Sequence, residues 1–263
     1  MEEREVYPNT PVVLVALEVR HPAAGSLSNA QRTAIKAILG KRTPIMRSGR
    51  LQEVTATMGT VPDLRVEEFP RYFSRDSTSA VSIRSEAVIV ETTRYVRWER
   101  LLGLVTDALQ ARQKVGGIDG VERVGLRLVN EIRVPAVTGH DWAQWVDGTL
   151  LGPAGLGPVL GLEPQQWQGV STFTPGPERS LVVRYGPRVG YAVDPAGDLK
   201  RPTSLPGPFF LVDIDSFWTP SEGVPEFDAE DLLRICGELH APVRTLFEHL
   251  ITERLREEVL RNV

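Results

Sequence analysis

Cysteine, lysine and long apolar runs are all scarce in this chain of 263 residues. Because Cys236 is the only cysteine, the chain can form neither an internal disulfide nor a metal site made of several thiolates. No apolar run approaches the roughly 20 residues that a membrane-spanning helix needs. The first residues, Met-Glu-Glu-Arg-Glu-Val, lack the apolar segment of a signal peptide. We therefore expect a cytoplasmic protein that does not contact a membrane.

The compact motifs of the common enzyme classes are missing too. The sequence contains no Gly-x-Ser-x-Gly, no P-loop, and no Gly-x-Gly-x-x-Gly placed between a strand and a helix. Its four histidines show none of the spacings typical of metal ligands. We accordingly predict no catalytic residues, no metal and no cofactor, and we favour a binding or regulatory protein over an enzyme.

Positive charge is unevenly distributed along the chain. Residues 1–135 carry 20 Lys and Arg against 16 Asp and Glu, whereas residues 136–263 carry 10 against 18. Only four of the basic residues are lysines, so arginine supplies most of the positive charge. The whole chain has a net charge of -4, which makes nucleic acid a less favoured partner.

Residues 121–135 alternate strictly between apolar and charged side chains. Leu126 and Leu128 fall on one face of this segment, and Arg123 and Arg127 fall on the other. A period of two with one apolar face predicts a long strand that is buried on one side. Asn130 shares the apolar face, so we expect its amide to bond a neighbouring loop.

Further strands and helices are predicted on both sides of this central strand. Longer helices are expected over residues 95–114 and 228–262, and Pro242 should kink or end the second one near residue 238. Strands are expected near residues 12–20, 71–75, 80–84, 87–93, 167–174, 180–185 and 209–217.

The order of these elements predicts the fold class. A strand, a short helix, several strands and a longer helix follow one another both before and after residue 118. We predict a single α+β domain over residues 1–263, with an antiparallel sheet built from two similar strand-helix-strands-helix halves. The halves are residues 1–118 and 119–263, and the long helices pack on one face of the sheet.

If the helices cover the apolar sheet face, charged side chains collect on the other face. We predict a binding surface there. Arginine binds carboxylates and phosphates through two parallel hydrogen bonds, so the expected ligand is a protein partner or a small phosphate-bearing molecule. The candidate binding residues are Arg123, Arg127, Arg133, Arg184, Asp213 and Asp215.

Two alternative functions remain open. Asp213 and Asp215 lie on one strand face about 7 Å apart. Such a pair is able to hold a divalent cation in a metal-dependent enzyme that acts on a nucleotide or another phosphate-containing substrate. The other alternative is a nucleic-acid-binding protein that uses the arginine-rich first half.

Residues spread over nearly the whole chain carry a family resemblance: Tyr7, Asn9, Pro11, Gly125-Leu126-Arg127, Asn130, Ile132, Asp213-Ile214-Asp215, Leu239-His240, Leu246-Phe247-Glu248 and Ile251-Thr252. In these residues the chain resembles a sporadically distributed, functionally uncharacterised family of bacterial proteins of about 250 residues. The resemblance covers nearly the whole chain. The chain departs from the family pattern at two positions: at Glu131, where the family often has a basic residue, and at Pro242. The family's patchy distribution implies genes of phage-defence or toxin–antitoxin loci.

Overall fold

The computed structural model describes residues 5–55, 63–135, 141–162, 164, 166–202 and 205–262. Nine strands form one antiparallel sheet in the order β2-β3-β4-β5-β1-β6-β9-β8-β7. The strands are β1 (Val12–Arg20), β2 (Ile45–Thr55), β3 (Asp63–Phe73), β4 (Ser79–Ile83), β5 (Ala87–Thr92), β6 (Arg123–Ile132), β7 (Gly169–Gly176), β8 (Arg179–Gly190) and β9 (Gly207–Trp218).

Few helices accompany the sheet. They are α1 (Asn29–Leu39), α2 (Trp98–Val115), α3 (Gly157–Leu160), α4 (Ala229–Leu250) and α5 (Glu253–Leu255). Short 3₁₀ segments occupy Trp142–Gln144, Gly148–Leu150 and Gly152–Leu156, and Arg256–Leu260 forms one π-helical turn. In the described part of the chain, no helix combines the length and apolarity needed to cross a membrane.

The predicted fold class, an α+β fold of two similar halves with long helices packed on one face, is wrong. The structure is a single nine-stranded sheet with few helices, and none of them is long. The helix expected over residues 228–262 ends at Leu250, because Ile251 is extended (φ -114°, ψ 146°). Between β1 and β2 lies α1, and between β6 and β7 lie the 3₁₀ segments of residues 142–156 and the short helix α3.

Pro242 lies inside α4 and does not end it, so of the two expected effects, a kink or an end, the end is wrong. A proline inside a helix removes one backbone hydrogen bond and costs about 3 kcal/mol. Leu239 and Val243 flank it and are fully buried, and α4 packs against β6 and β9. Burial of apolar surface stabilises the fold by about 25 cal/mol per Å², so burying two such side chains stabilises it by a few kcal/mol. Packing therefore holds the helix through the proline.

The core lies between the helices and the apolar face of the sheet. Leu126 and Ile214, from the neighbouring strands β6 and β9, are fully buried in it. Cys236 of α4 belongs to the same core, and burial raises the pKa of its thiol to about 12. The strict alternation of the central strand thus determines which sheet face receives α4.

Two glycines of the fold should respond oppositely to alanine. Gly186 has φ +141°, and a Cβ there would overlap the carbonyl oxygen of Trp167. Gly237 lies inside α4 with open space around it. Gly186→Ala should lower the free energy of unfolding by about 1–3 kcal/mol through backbone strain. Gly237→Ala should raise it by about 0.5–1 kcal/mol through helix propensity.

Urea unfolding of both variants against the wild type measures these changes. Gly190→Ala is a useful control. Gly190 has φ +100°, so alanine there is strained, but no neighbour lies within 4 Å of the added Cβ. Equal stability of Gly186→Ala and the wild type would contradict the close packing of residues 186 and 167.

Candidate functional site

Five of the six predicted binding residues lie together on the sheet face opposite α4. We call this surface the charged face and define it by Arg123, Arg127, Arg184, Asp213 and Asp215, together with Glu18 of β1. The alternation along β6 and β9 brings them together, because the residues between them, Leu126 and Ile214, point into the core.

The strongest contact on the charged face joins β6 to β9. Arg127 Nε and Nη2 donate to the two carboxylate oxygens of Asp213, each at 2.8 Å. The Asp213 side chain is 4% exposed, whereas the Arg127 side chain is 51% exposed. This two-point hydrogen bond raises the pKa of Arg127 above its ordinary value. The predicted shared face of Arg127 and Asp213 is therefore confirmed.

Arg123 lies flat across the neighbouring strands. Its Nη1 donates to Glu18 Oε1 at 3.2 Å, and its Nη2 lies 3.5 Å from Asp215 Oδ2. Its guanidinium carbon also sits 4.5 Å from the ring centre of Phe217, a cation–π distance. Gly125 makes this path available, since a Cβ at that position would lie 2.5 Å from Arg123 Nη1.

Arg184 is the least constrained arginine of the charged face. Its Nη1 lies 3.9 Å from Asp213 Oδ2, beyond hydrogen-bond distance, and its side chain is 47% exposed. Asp215 lies near it on β9, and burial raises the pKa of Asp215 even though Arg123 and Arg127 act to lower it. The exposed charge on this face is thus mainly that of arginine.

Arg133, the sixth predicted residue, does not join this group. It lies beyond the end of β6, where its Nε donates to Glu131 Oε1 at 2.8 Å and its Nη2 donates to the carbonyl oxygen of Gly190 at 2.6 Å. Its guanidinium also sits near the rings of Tyr191 and Phe209. Arg133 therefore has a structural role at the edge of the charged face.

Residues 191–202, which we call the crossing segment, cover one end of the charged face. Ala192 N donates to Glu131 Oε2 at 2.7 Å, and Thr93 Oγ1 donates to the carbonyl oxygen of Lys200 at 2.5 Å. Leu199 packs in a small apolar cluster with Phe73. The segment covers the end of the face near Glu131, and the side chains of Arg127 and Arg184 remain about half exposed beside it.

Sequence reasoning missed a basic cavity of about 460 Å³ beside the first turn of α2. Leu101 and Leu104 form part of its apolar wall, and among the described residues Asp76 is the only carboxylate that lines it. The positive net charge of residues 1–135 was the one sequence feature that pointed to such a cavity, but it did not indicate where in the fold the cavity lies. The basic lining residues are Lys41, Arg42, Arg75, Arg94, Arg97 and Arg100.

A second missed cavity of about 580 Å³ adjoins the basic one and shares Tyr95, Val96 and Arg97 with it. Most of its lining residues are apolar or aromatic, and the carboxylates of Glu5, Glu99 and Glu248 also line it. Trp98 stacks on His240 with ring centres 4.1 Å apart. We call it the apolar cavity.

Asn130 also lines the apolar cavity, and its Nδ2 donates to the carbonyl oxygen of Val212 at 2.8 Å. The expected hydrogen bond of this buried asparagine exists. The partner is the neighbouring strand β9 instead of a loop.

Comparison with protein-family models and with curated proteins finds no match to this chain. The family resemblance and the phage-defence or toxin–antitoxin association therefore remain predictions. Within the described ranges, no three His, Cys, Asp or Glu side chains are placed together to hold a metal ion.

The Arg127–Asp213 pair should be worth more to stability than an exposed ion pair. Arg127→Met leaves the Asp213 carboxylate buried without its main partner, which should lower the free energy of unfolding by about 2 kcal/mol. Adding Asp213→Leu removes that buried charge and should restore most of the loss. Urea unfolding of the single and double variants measures both steps; equal instability of the two would contradict this assignment.

Proposed function

We propose that the protein is a non-enzymatic binding protein, and that the half-exposed arginines of its charged face recognise a partner protein. The observation that carries the proposal is the gathering of Arg123, Arg127, Arg184, Asp213 and Asp215 into one network. The side chains of Arg127 and Arg184 are about half exposed within this network, so a partner could reach their guanidinium groups.

The pattern of charge suits a protein surface. Arg127 and Arg184 present their guanidinium groups outward, while the carboxylate of Asp213 lies beneath them. Partner carboxylates placed over the two arginines would complete their hydrogen bonds, and such complementarity gives specificity and fast association.

Exposed apolar surface continues from the charged face onto the sheet edge. Val170 of β7 pairs in register with Arg184 and is 66% exposed. Because β7 is the last strand of the sheet, its outer edge has no neighbouring strand among the described residues. A partner that contacts Arg184 would reach this edge as well, where apolar contact adds affinity.

The two alternative functions have less support from the geometry. Both carboxylate oxygens of Asp213 accept hydrogen bonds from Arg127, and Asp215 is neighboured by Arg123. A cation bound between Asp213 and Asp215 would have to displace these guanidinium groups. Carboxylates of Glu18, Asp213 and Asp215 lie among the arginines of this face and would repel the closely spaced phosphates of a nucleic-acid backbone.

Titration with Mg²⁺ and Mn²⁺ tests the metal-dependent alternative. We expect no heat of binding from the wild type in calorimetry, because the guanidinium groups already neutralise the carboxylates. If the wild type bound a divalent cation and Asp213→Ala abolished that binding, the metal-dependent enzyme would be favoured over the partner-binding protein.

A charge reversal tests the proposed partner surface. Arg184→Glu should reduce recovery of a partner protein from the source organism by at least about tenfold, since like charges across an interface cost several kcal/mol. Lys36→Glu is the matched control, because Lys36 is an exposed cation on α1 with the same change of charge.

The purification compares tagged wild type with the two variants after thermal melts show that both are folded. Exposed substitutions of this kind usually change stability by less than about 0.5 kcal/mol. Equal recovery of the same partner by Arg184→Glu and the wild type would refute the proposed surface. The same conclusion would follow if no partner were recovered reproducibly.

A further inference from the structure

The basic cavity concentrates positive charge that the chain does not neutralise. In the part of the chain that the structure describes, six cationic side chains and one carboxylate, that of Asp76, line this cavity of about 460 Å³. The chain as a whole carries a net charge of -4, so this excess is a local feature. Like charges placed this close repel one another, and a bound anion would remove the repulsion.

Only two of the six cations have a carboxylate partner in the described part of the chain. Arg42 Nε donates to Asp107 Oδ2 at 2.7 Å, and Arg94 Nη1 lies 3.7 Å from Asp76 Oδ2. No ion pair is found for the other four within the residues that the structure describes. These four cations are Lys41, Arg75, Arg97 and Arg100.

Three separate parts of the chain bring these side chains together. Lys41 follows α1, Arg75 lies in the turn between β3 and β4, and Arg97 and Arg100 belong to the start of α2. Arg97 is also the N-cap residue of α2 and makes no side-chain capping bond. The partial positive charge of the helix start adds to that of the side chains.

The neighbouring cavity shows where the rest of a ligand would lie. Tyr95, Val96 and Arg97 line both cavities, so one molecule could extend from the basic cavity into the apolar cavity. Burial raises the pKa of Tyr95 to about 12, so its hydroxyl stays protonated at neutral pH. A volume of several hundred cubic ångströms fits a molecule of nucleotide size.

We propose that the basic cavity binds the phosphate chain of a small molecule, whose apolar or aromatic part lies in the apolar cavity. Arginine matches phosphate through bidentate hydrogen bonds, and several phosphate charges would satisfy the four unpaired cations together. The site lies apart from the charged face, so the proposal does not depend on a protein partner there.

Inorganic tripolyphosphate is the simplest probe, because it tests the basic cavity alone. Calorimetric titration at low ionic strength should give one binding site, and the affinity should fall as salt is added. Arg75→Ala, Arg97→Ala and Arg100→Ala should each weaken binding about fivefold, and the triple variant about 100-fold.

Lys114→Ala is the matched control for the loss of charge. Lys114 is an exposed cation at the other end of α2, about 20 Å from Arg100 by the helical rise per residue. The Lys114→Ala variant should bind tripolyphosphate with the same affinity as the wild type. The basic substitutions are at exposed positions, so thermal melts should show folded variants.

Two further titrations identify the class of ligand. ATP should bind more tightly than tripolyphosphate, because its nucleoside gains contacts in the apolar cavity. Val96→Trp, which narrows the passage between the cavities, should remove this advantage and leave tripolyphosphate binding unchanged.

Several results would overturn the proposal. The first is no binding of tripolyphosphate at low salt, and the second is equal loss of affinity in Lys114→Ala and Arg100→Ala. The third is much tighter binding of a single-stranded oligonucleotide than of ATP, through the same arginines. That result would indicate that the cavity binds nucleic acid.

Discussion

The pairing of β6 with β1 on one side and β9 on the other is the constraint on which the rest of the structure depends. Both pairings are antiparallel and extend over most of β6, so the phase of this strand fixes the phase of its neighbours. A shift of one residue would move Arg127 into the core and Leu126 into water. The hydrophobic core and the charged face are therefore determined by the same register.

Charge is handled differently on the two sides of this sheet. On the charged face each arginine is close to an aspartate or glutamate, as in the Arg127–Asp213 pair. Near the start of α2, basic side chains from separate parts of the chain lie close together with little negative charge between them. The first arrangement stabilises the sheet and offers a patterned surface, whereas the second leaves cations whose interactions are incomplete.

Much of the strand pattern could be predicted because it depends on local alternation. The predicted strand at residues 12–20 and the central strand both follow from the alternation of neighbouring residues, and the structure contains them. The end of α4 could not be predicted in this way. The apolar spacing continues through Val259, but the chain leaves the helix at Ile251, where Val146 pairs with it through a β-bridge.

The candidate sites show the same division. Arg127 and Asp213 were brought together by strand phase, which a sequence displays. Arg133 belonged to the same pattern, yet it lies past the end of β6 and bonds Gly190, a contact of long range. The basic cavity was missed because its walls come from residues 41–44, 74–79 and 92–104, which no local period connects.

The burial of Cys236 makes this protein a convenient subject for chemical labelling. The only thiol of the chain is fully buried and protonated at neutral pH, so it reacts slowly with alkylating reagents in the folded state. A cysteine introduced at an exposed position would therefore accept a fluorophore or spin label selectively. Conversely, alkylation of Cys236 itself would report each transient opening of the core beneath α4.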